Sequence, residues 1–102
     1  MVQLQLLAPR QIRRADLVAS GSPKRAFYRL WIEKQEGRFC VYKESGAGDK
    51  VLHRQVWCFT SFQTAEGFFL RRIKAKTNPQ RHSPRKYSLV SYNPHPLPKP
   101  EP

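Results

Sequence analysis

Apolar and polar side chains alternate at every second residue through much of the first sixty positions, and the spacing lengthens to three and four after Thr60. Alternation at period two marks a half-buried strand, because successive side chains point to opposite faces of a sheet. Val2, Leu4 and Leu6 against Gln3 and Gln5 predict a short strand over residues 2–7, ended by Pro9. Residues 10–25 are mixed and basic, with a turn at Gly21-Ser22-Pro23, and read as a connecting loop. Three strands are expected next. Over residues 27–33, Tyr28, Leu30 and Ile32 oppose Phe27, Arg29 and Trp31; one set must face the core, and alternation does not say which. A turn at Glu36-Gly37 leads to residues 38–43, with Phe39 and Val41 on one face and Cys40 and Tyr42 on the other. Ser45-Gly46-Ala47-Gly48-Asp49 reads as a flexible loop, since its glycines permit positive φ. Residues 51–59 then set Val51, His53, Gln55, Trp57 and Phe59 against Leu52, Arg54, Val56 and Cys58. Such short connections favour antiparallel pairing.

A single helix follows. Thr60-Ser61-Phe62-Gln63 has the form of a capping box, with Thr60 as the cap and Gln63 three residues on. Phe62, Ala65, Phe69 and Ile73 recur at spacings of three and four, an apolar stripe wide enough to pack on a sheet. Gly67 weakens this helix by roughly 1 kcal/mol relative to alanine. Asn78-Pro79 stops it, and a last strand over residues 87–92 sets Tyr87 and Leu89 against Val90 and Tyr92. In residues 93–102 proline stands at every second position, which excludes a helix or a sheet ladder. This tail is expected to be polyproline-like and disordered, with an aromatic groove of a partner as the alternative. The whole pattern predicts an α+β fold: a small antiparallel sheet of four to five strands with one helix packed across it. Residues 1–92 form its single domain.

The length of 102 residues fits one domain with a small core and leaves no room for a cleft between two lobes. Lys and Arg number 19 and Asp and Glu 7, a net charge of +12. No run approaches the ~20 apolar residues of a membrane span. The first residues lack the basic start and apolar stretch of a signal peptide, so a soluble, cytoplasmic, monomeric protein is expected. The charge points to a polyanionic partner, whether nucleic acid, anionic lipid or an acidic protein, or to a solubilising surface, and by itself does not choose among them.

From Phe27 to Tyr87, about 60% of the chain, the order of features resembles the WGR domain, found in poly(ADP-ribose) polymerases and in small bacterial proteins. Phe27-Tyr28-Arg29-Leu30 is similar to the opening aromatic strand of that family. Lys43-Glu44-Ser45-Gly46-Ala47-Gly48 falls at its naming Trp-Gly-Arg motif, where Ser45 replaces the Trp, Ala47 replaces the Arg, and Gly46 matches. Phe59-Thr60-Ser61 with Ala65 and Phe69 resembles the start of its helix, Lys76-Thr77-Asn78 the exit, and Lys86-Tyr87 the closing strand. The resemblance implies a sheet curved into a half barrel with one helix across it. It supports that fold better than the family's DNA contact at the naming motif, whose aromatic and guanidinium groups are missing here.

Candidate chemistry lies in the distribution of charge. Between Glu66 and Glu101 there is no acidic residue, while Arg71, Arg72, Lys74, Lys76, Arg81, Arg85 and Lys86 crowd sixteen positions. Arg71 and Lys74 point away from the helical stripe; Arg72 and Lys76 lie nearer it, so their stems can cover core while the charges reach outward. A helix end plus a basic loop can follow a phosphate backbone without reading bases. The expected function is therefore a non-enzymatic nucleic-acid-binding module, for DNA first, with a module docking an acidic protein as the alternative. Lys43, Lys50 and Arg54 around the glycine loop form a second basic group, and Tyr42, Trp57, Tyr87 and Tyr92 are candidates for stacking on bases. Cys40 and Cys58 lack a metal-binding spacing with His53 and His82; their strands can be neighbours, so a disulfide is geometrically open to them, but in an intracellular chain they are expected as free, half-buried thiols. No nucleophile–base spacing, phosphate loop or carboxylate pair supports catalysis, and no cofactor or metal is implied.

Overall fold

Tyr28, Leu30 and Ile32 turn to the core, each 1% exposed or less, while Phe27, Arg29 and Trp31 point to the other side of their strand. The choice that alternation left open follows from what lies opposite: Ala65 and Phe69 of the helix are fully buried in the same cluster. Removing a side chain such as Phe69 from water stabilises the fold by about 1.5–3 kcal/mol.

The computed structural model describes residues 10–19, 21, 24–80 and 87–93. Its elements are β1 (Arg10–Ala19), β2 (Ala26–Gln35), β3 (Arg38–Ala47), β4 (Lys50–Phe59), α1 (Phe62–Thr77) and β5 (Tyr87–Asn93). The strands form one open antiparallel sheet in the order β4-β3-β2-β1-β5, and α1 packs across one face. The expected small α+β fold is thus the observed one.

Residues 10–19, expected as a loop, instead form β1, which pairs with both β2 and β5. Ala15, Leu17 and Ala19 face the core from this strand and are buried. Two features hid it. Alanine is a poor strand former, and a register shift between Gln11 and Arg13 breaks the alternation. The strand predicted over residues 2–7 lies outside the described residues, as do the basic loop 81–86 and residues 94–102 of the tail. Asn93, assigned to the tail, closes β5.

The hairpin between β3 and β4 is tighter than expected. β3 continues through Ser45 and Gly46 to Ala47, and only Gly48 and Asp49 separate it from β4. Gly48 takes a φ of 62°, and its N–H donates to the Arg25 carbonyl at 3.1 Å, tying the hairpin tip to the start of β2. At Gly46 the register shifts, and a Cβ built there would overlap the Lys50 carbonyl oxygen and stand 3.0 Å from the Phe27 ring. The glycine is required by this close approach.

The helix cap also moves by one residue. Ser61, with φ −116° and ψ 134°, holds the extended conformation a cap needs, and its Oγ accepts from the Thr64 N–H at 3.4 Å. Thr60 is therefore outside the helix, and Gln63 falls one position short of a capping box. Phe62, Phe68 and Ile73 pack against the buried Ala65 and Phe69, so the stripe is as expected with Phe68 added. Cys40 and Cys58 face one another across β3 and β4, with Cα atoms 4.0 Å apart, and are joined by a disulfide. The free thiols expected from the sequence are not present.

Candidate nucleic-acid interface

The positively charged side chains of the last two turns of α1 do not all stand on one surface. Arg71 and Lys74 are exposed, whereas Arg72 and Lys76 are half-buried and lean over the sheet. Helical spacing dictates this: Arg72 follows Phe68 and Phe69 by four and three residues, so it shares their side of the cylinder.

Arg72 is the best-anchored cation of this group. Its Nε and Nη2 both donate to the Tyr28 hydroxyl at 3.1 Å, and its Cζ lies 4.7 Å from the ring centre of Trp57 and 5.6 Å from that of Phe68. Lys76, one turn later, places Nζ 4.8 Å from the Tyr28 ring centre and 5.9 Å from that of Tyr87. Lys43, on β3, reaches the same tyrosine from the sheet, with Nζ 5.7 Å from its ring centre. Three cations from two elements thus converge on one tyrosine, the two lysines on its ring and Arg72 on its hydroxyl. Both burial and the nearby Arg72 charge lower the Lys43 pKa below the ordinary 10.5, burial being the larger cause. Phe68, Arg71, Arg72, Ala75 and Lys76 line a shallow, open depression of about 370 Å³ beside this cluster.

The carboxylates nearest in sequence are committed elsewhere. Glu66 accepts from Arg13 at 3.1 Å, and Glu44 accepts from Arg29 at 3.2 Å and from Arg54 at 3.0 Å. Glu44 and Arg54 stand on the face of the sheet away from α1, opposite one another in register. This divides the second basic group read from the sequence. Lys43 joins the helix cluster, Arg54 belongs to the opposite face, and Lys50 is exposed at the hairpin tip. Arg81, Arg85 and Lys86 lie outside the described residues.

No family model matches the chain, and no curated protein or solved structure matches it significantly.

The stacking candidates divide in the same way. Trp57 is half-buried beneath the Arg72 guanidinium. Tyr87 is buried in the core, and Tyr92 is exposed beside Phe69. Tyr42 stacks against Trp31 on the far face, with ring centres 5.5 Å apart and planes 7° from parallel. Sequence reasoning missed Tyr28 as the centre of the cluster, because an aromatic on an apolar strand face reads as core. Its hydroxyl is the polar handle that a buried tyrosine has to satisfy. Cys40 and Cys58, being bonded to one another, offer no thiolate to a metal. Among the described residues no three His, Cys, Asp or Glu side chains group as metal ligands.

Proposed function

We propose that this chain is a non-enzymatic module that binds nucleic acid, DNA foremost, through backbone phosphates. The observation that carries the reading is the convergence of Lys43, Arg72 and Lys76 around Tyr28. Burial first and the Arg72 charge second lower the Lys43 pKa, and an anion set among these cations offsets both costs. A phosphate suits the site because a guanidinium can present a planar pair of donors while ammonium groups supply point charges. Arg71 and Lys74, exposed on the neighbouring turn, extend the positive surface along α1 in the direction a strand would run.

The same proposal places the chain with the WGR domains. In its favour are the order of strands, the single helix and the constrained Gly46 at the position that matches that family's central glycine. The contact proposed here lies on α1 and β3 rather than on the substituted Ser45–Gly48 segment. It reads no bases, since phosphate contacts fix position and carry no sequence information.

Titration of duplex DNA at increasing salt tests the function. With about four phosphates neutralised, log K should fall with log salt at a slope of roughly −4, and affinity should be micromolar at physiological salt. Absence of binding at low salt sinks the proposal. Salt-sensitive binding to an acidic polypeptide but not to DNA would transfer the patch to a protein partner. The expected cytoplasmic location meets one opposing feature, since structural disulfides such as Cys40–Cys58 belong mainly to oxidising compartments.

A further inference from the structure

The Cys40–Cys58 disulfide joins a buried residue to an exposed one. Cys40 is fully buried and Cys58 is exposed, although the two are paired directly across β3 and β4. Their places in the sheet account for the difference. Glu33, Cys40 and Cys58 stand in one row across β2, β3 and β4. Cys40 thus has a neighbour on each side, while Cys58 lies on the last strand of the described sheet. The Gln35 side chain also shields Cys40, with its Oε1 3.7 Å from the Cys40 sulfur. That amide is held in place, its Nε2 donating to the Tyr42 hydroxyl at 2.5 Å and to Glu33 at 3.4 Å.

A disulfide is cleaved when a thiolate attacks one of its sulfurs and expels the other, and access decides which sulfur is attacked. A thiolate bound for Cys40 has to enter over β2, past Gln35 and against the negative charge of Glu33. A thiolate bound for Cys58 meets neither. Access and charge therefore both select Cys58. The net charge of +12 draws anions to the chain at large, so a thiol that is itself anionic arrives more often than a cationic one.

We propose that Cys58 is a thiol-exchange site that takes up a small anionic monothiol as a mixed disulfide, with Cys40 as the resolving thiol. The incoming thiolate sulfur bonds to the Cys58 sulfur as the Cys40–Cys58 bond breaks, and the electron pair of that bond leaves on Cys40. The incoming sulfur is oxidised and Cys40 is reduced. Cys40 then takes a proton from solvent, and Gln35 Oε1 is placed to accept from the new thiol. Return attack by the Cys40 thiolate on Cys58 expels the small thiol and restores the bridge. Attack by a second small thiol on the first one's sulfur instead releases Cys58 as a thiolate and completes a two-electron reduction. The exchange makes the hold of β3 on β4 responsive to thiols, and it does not rest on the nucleic-acid reading.

The two ends of the bridge make the test internal. The folded, oxidised chain is treated with glutathione, and the exchange is stopped with excess N-ethylmaleimide. Trypsin separates the two cysteines by cutting after Lys43 and Arg54, and mass spectrometry reads which one carries glutathione and which the maleimide. The expected product has glutathione on Cys58 and maleimide on Cys40, in about tenfold or greater excess over the reverse isomer, since access selects the attacked sulfur. In urea, where burial is lost, the two isomers should form in similar amounts. Cysteamine, a cationic thiol, should react several-fold more slowly than glutathione at low salt, and the gap should close as salt rises. An even split in the folded chain overturns the proposal, as does an excess of glutathione on Cys40. A bridge that resists glutathione in the folded chain and is cleaved in urea overturns it too. Equal rates for the two thiols at low salt overturn the preference for an anionic one. DNA is absent throughout, so none of these outcomes bears on the phosphate site.

Discussion

Arg72 donates from both Nε and Nη2 to the single hydroxyl oxygen of Tyr28. The two residues are 44 positions apart, and the pair fixes the second half of α1 to the start of β2. A guanidinium held in this way keeps Nη1 free of that pair and turned to a fixed geometry, which lowers the ordering cost of gripping an anion.

The first prediction follows from that pair. Tyr28→Phe should cost about 0.5–1.5 kcal/mol of stability and lower DNA affinity several-fold while leaving every charge in place. Arg72→Gln should lower affinity roughly tenfold, about 1.4 kcal/mol, and make the salt slope shallower by about 0.9. Arg71→Glu with Lys74→Glu should weaken binding uniformly across DNA sequences, without a change in specificity. Filter binding and denaturant melts on the same samples separate binding from folding. Wild-type affinity in a folded Arg72→Gln protein would remove Arg72 from the site.

The Lys43 ammonium supplies a pH prediction. Its folded pKa lies below 10.5, through burial first and Arg72 second. Between the folded value and 10.5 the unfolded chain binds more protons at this position than the folded one. Stability contributed by Lys43 therefore rises with pH through that window. Lys43→Met should abolish this contribution, as seen in melts from pH 8 upward. A bound phosphate should move the Lys43 pKa back up, and NMR titration of its side chain with and without a short duplex reads the change. A value that stays put on saturation with DNA would place the phosphates elsewhere.

Two glycines should respond to alanine with opposite signs. At Gly46 a Cβ would overlap the Lys50 carbonyl oxygen, a backbone atom that cannot move alone. Gly46→Ala should destabilise by about 2 kcal/mol or more, within the range of overpacking. At Gly67, inside α1, the nearest atom to a new Cβ is the Arg71 Nη1 at 3.4 Å, the end of a flexible side chain. Gly67→Ala should stabilise by about 0.5–1 kcal/mol. Urea midpoints check both, and a Gly46→Ala protein as stable as the parent would contradict the hairpin geometry.

β2, β3 and α1 were legible because each buries one face, and burial at period two or 3.6 leaves a visible pattern; β4 and β5 were legible from their alternation and bounding turns, although only Trp57, Phe59 and Tyr87 carry most of their packing. β1 was lost where that signal fails. Its core side is built of Ala15, Leu17 and Ala19, its alternation is broken at Arg13, and three arginines, Arg10, Arg13 and Arg14, give its first half the look of a basic loop. The site was half legible. A run without acids marked the end of α1, but the run alone could not tell Arg71 and Lys74 from Arg72 and Lys76 as the residues next to the sheet. Lys43 joins them only through strand register, and register depends on the hairpin turn. Reading Ser45–Asp49 as a loop concealed that turn, and with it the separation of Lys43 from Arg54.

The disulfide supplies the last prediction. Cys40 and Cys58 are 18 residues apart in sequence, and they cross-link β3 to the edge strand β4. Closing a loop of that length removes freedom from the unfolded chain worth about 3 kcal/mol in the chain-entropy account. Reduction should therefore lower the melting temperature by roughly 12–24 °C, at about 4–8 °C per kcal/mol for a domain of this size. The loss should fall first on β4, which pairs on one side only and whose residues outside Trp57 and Phe59 pack little. Hydrogen exchange in reductant should accordingly quicken at the β4 amides before those of β2. Arg72 rests on Trp57 of that strand, so reduction should also weaken DNA binding, whereas Lys43 on β3 should keep its place. Matching melting temperatures with and without reductant, in protein whose bond is verified by mass, would show that the hairpin is held by its turn and ladder alone.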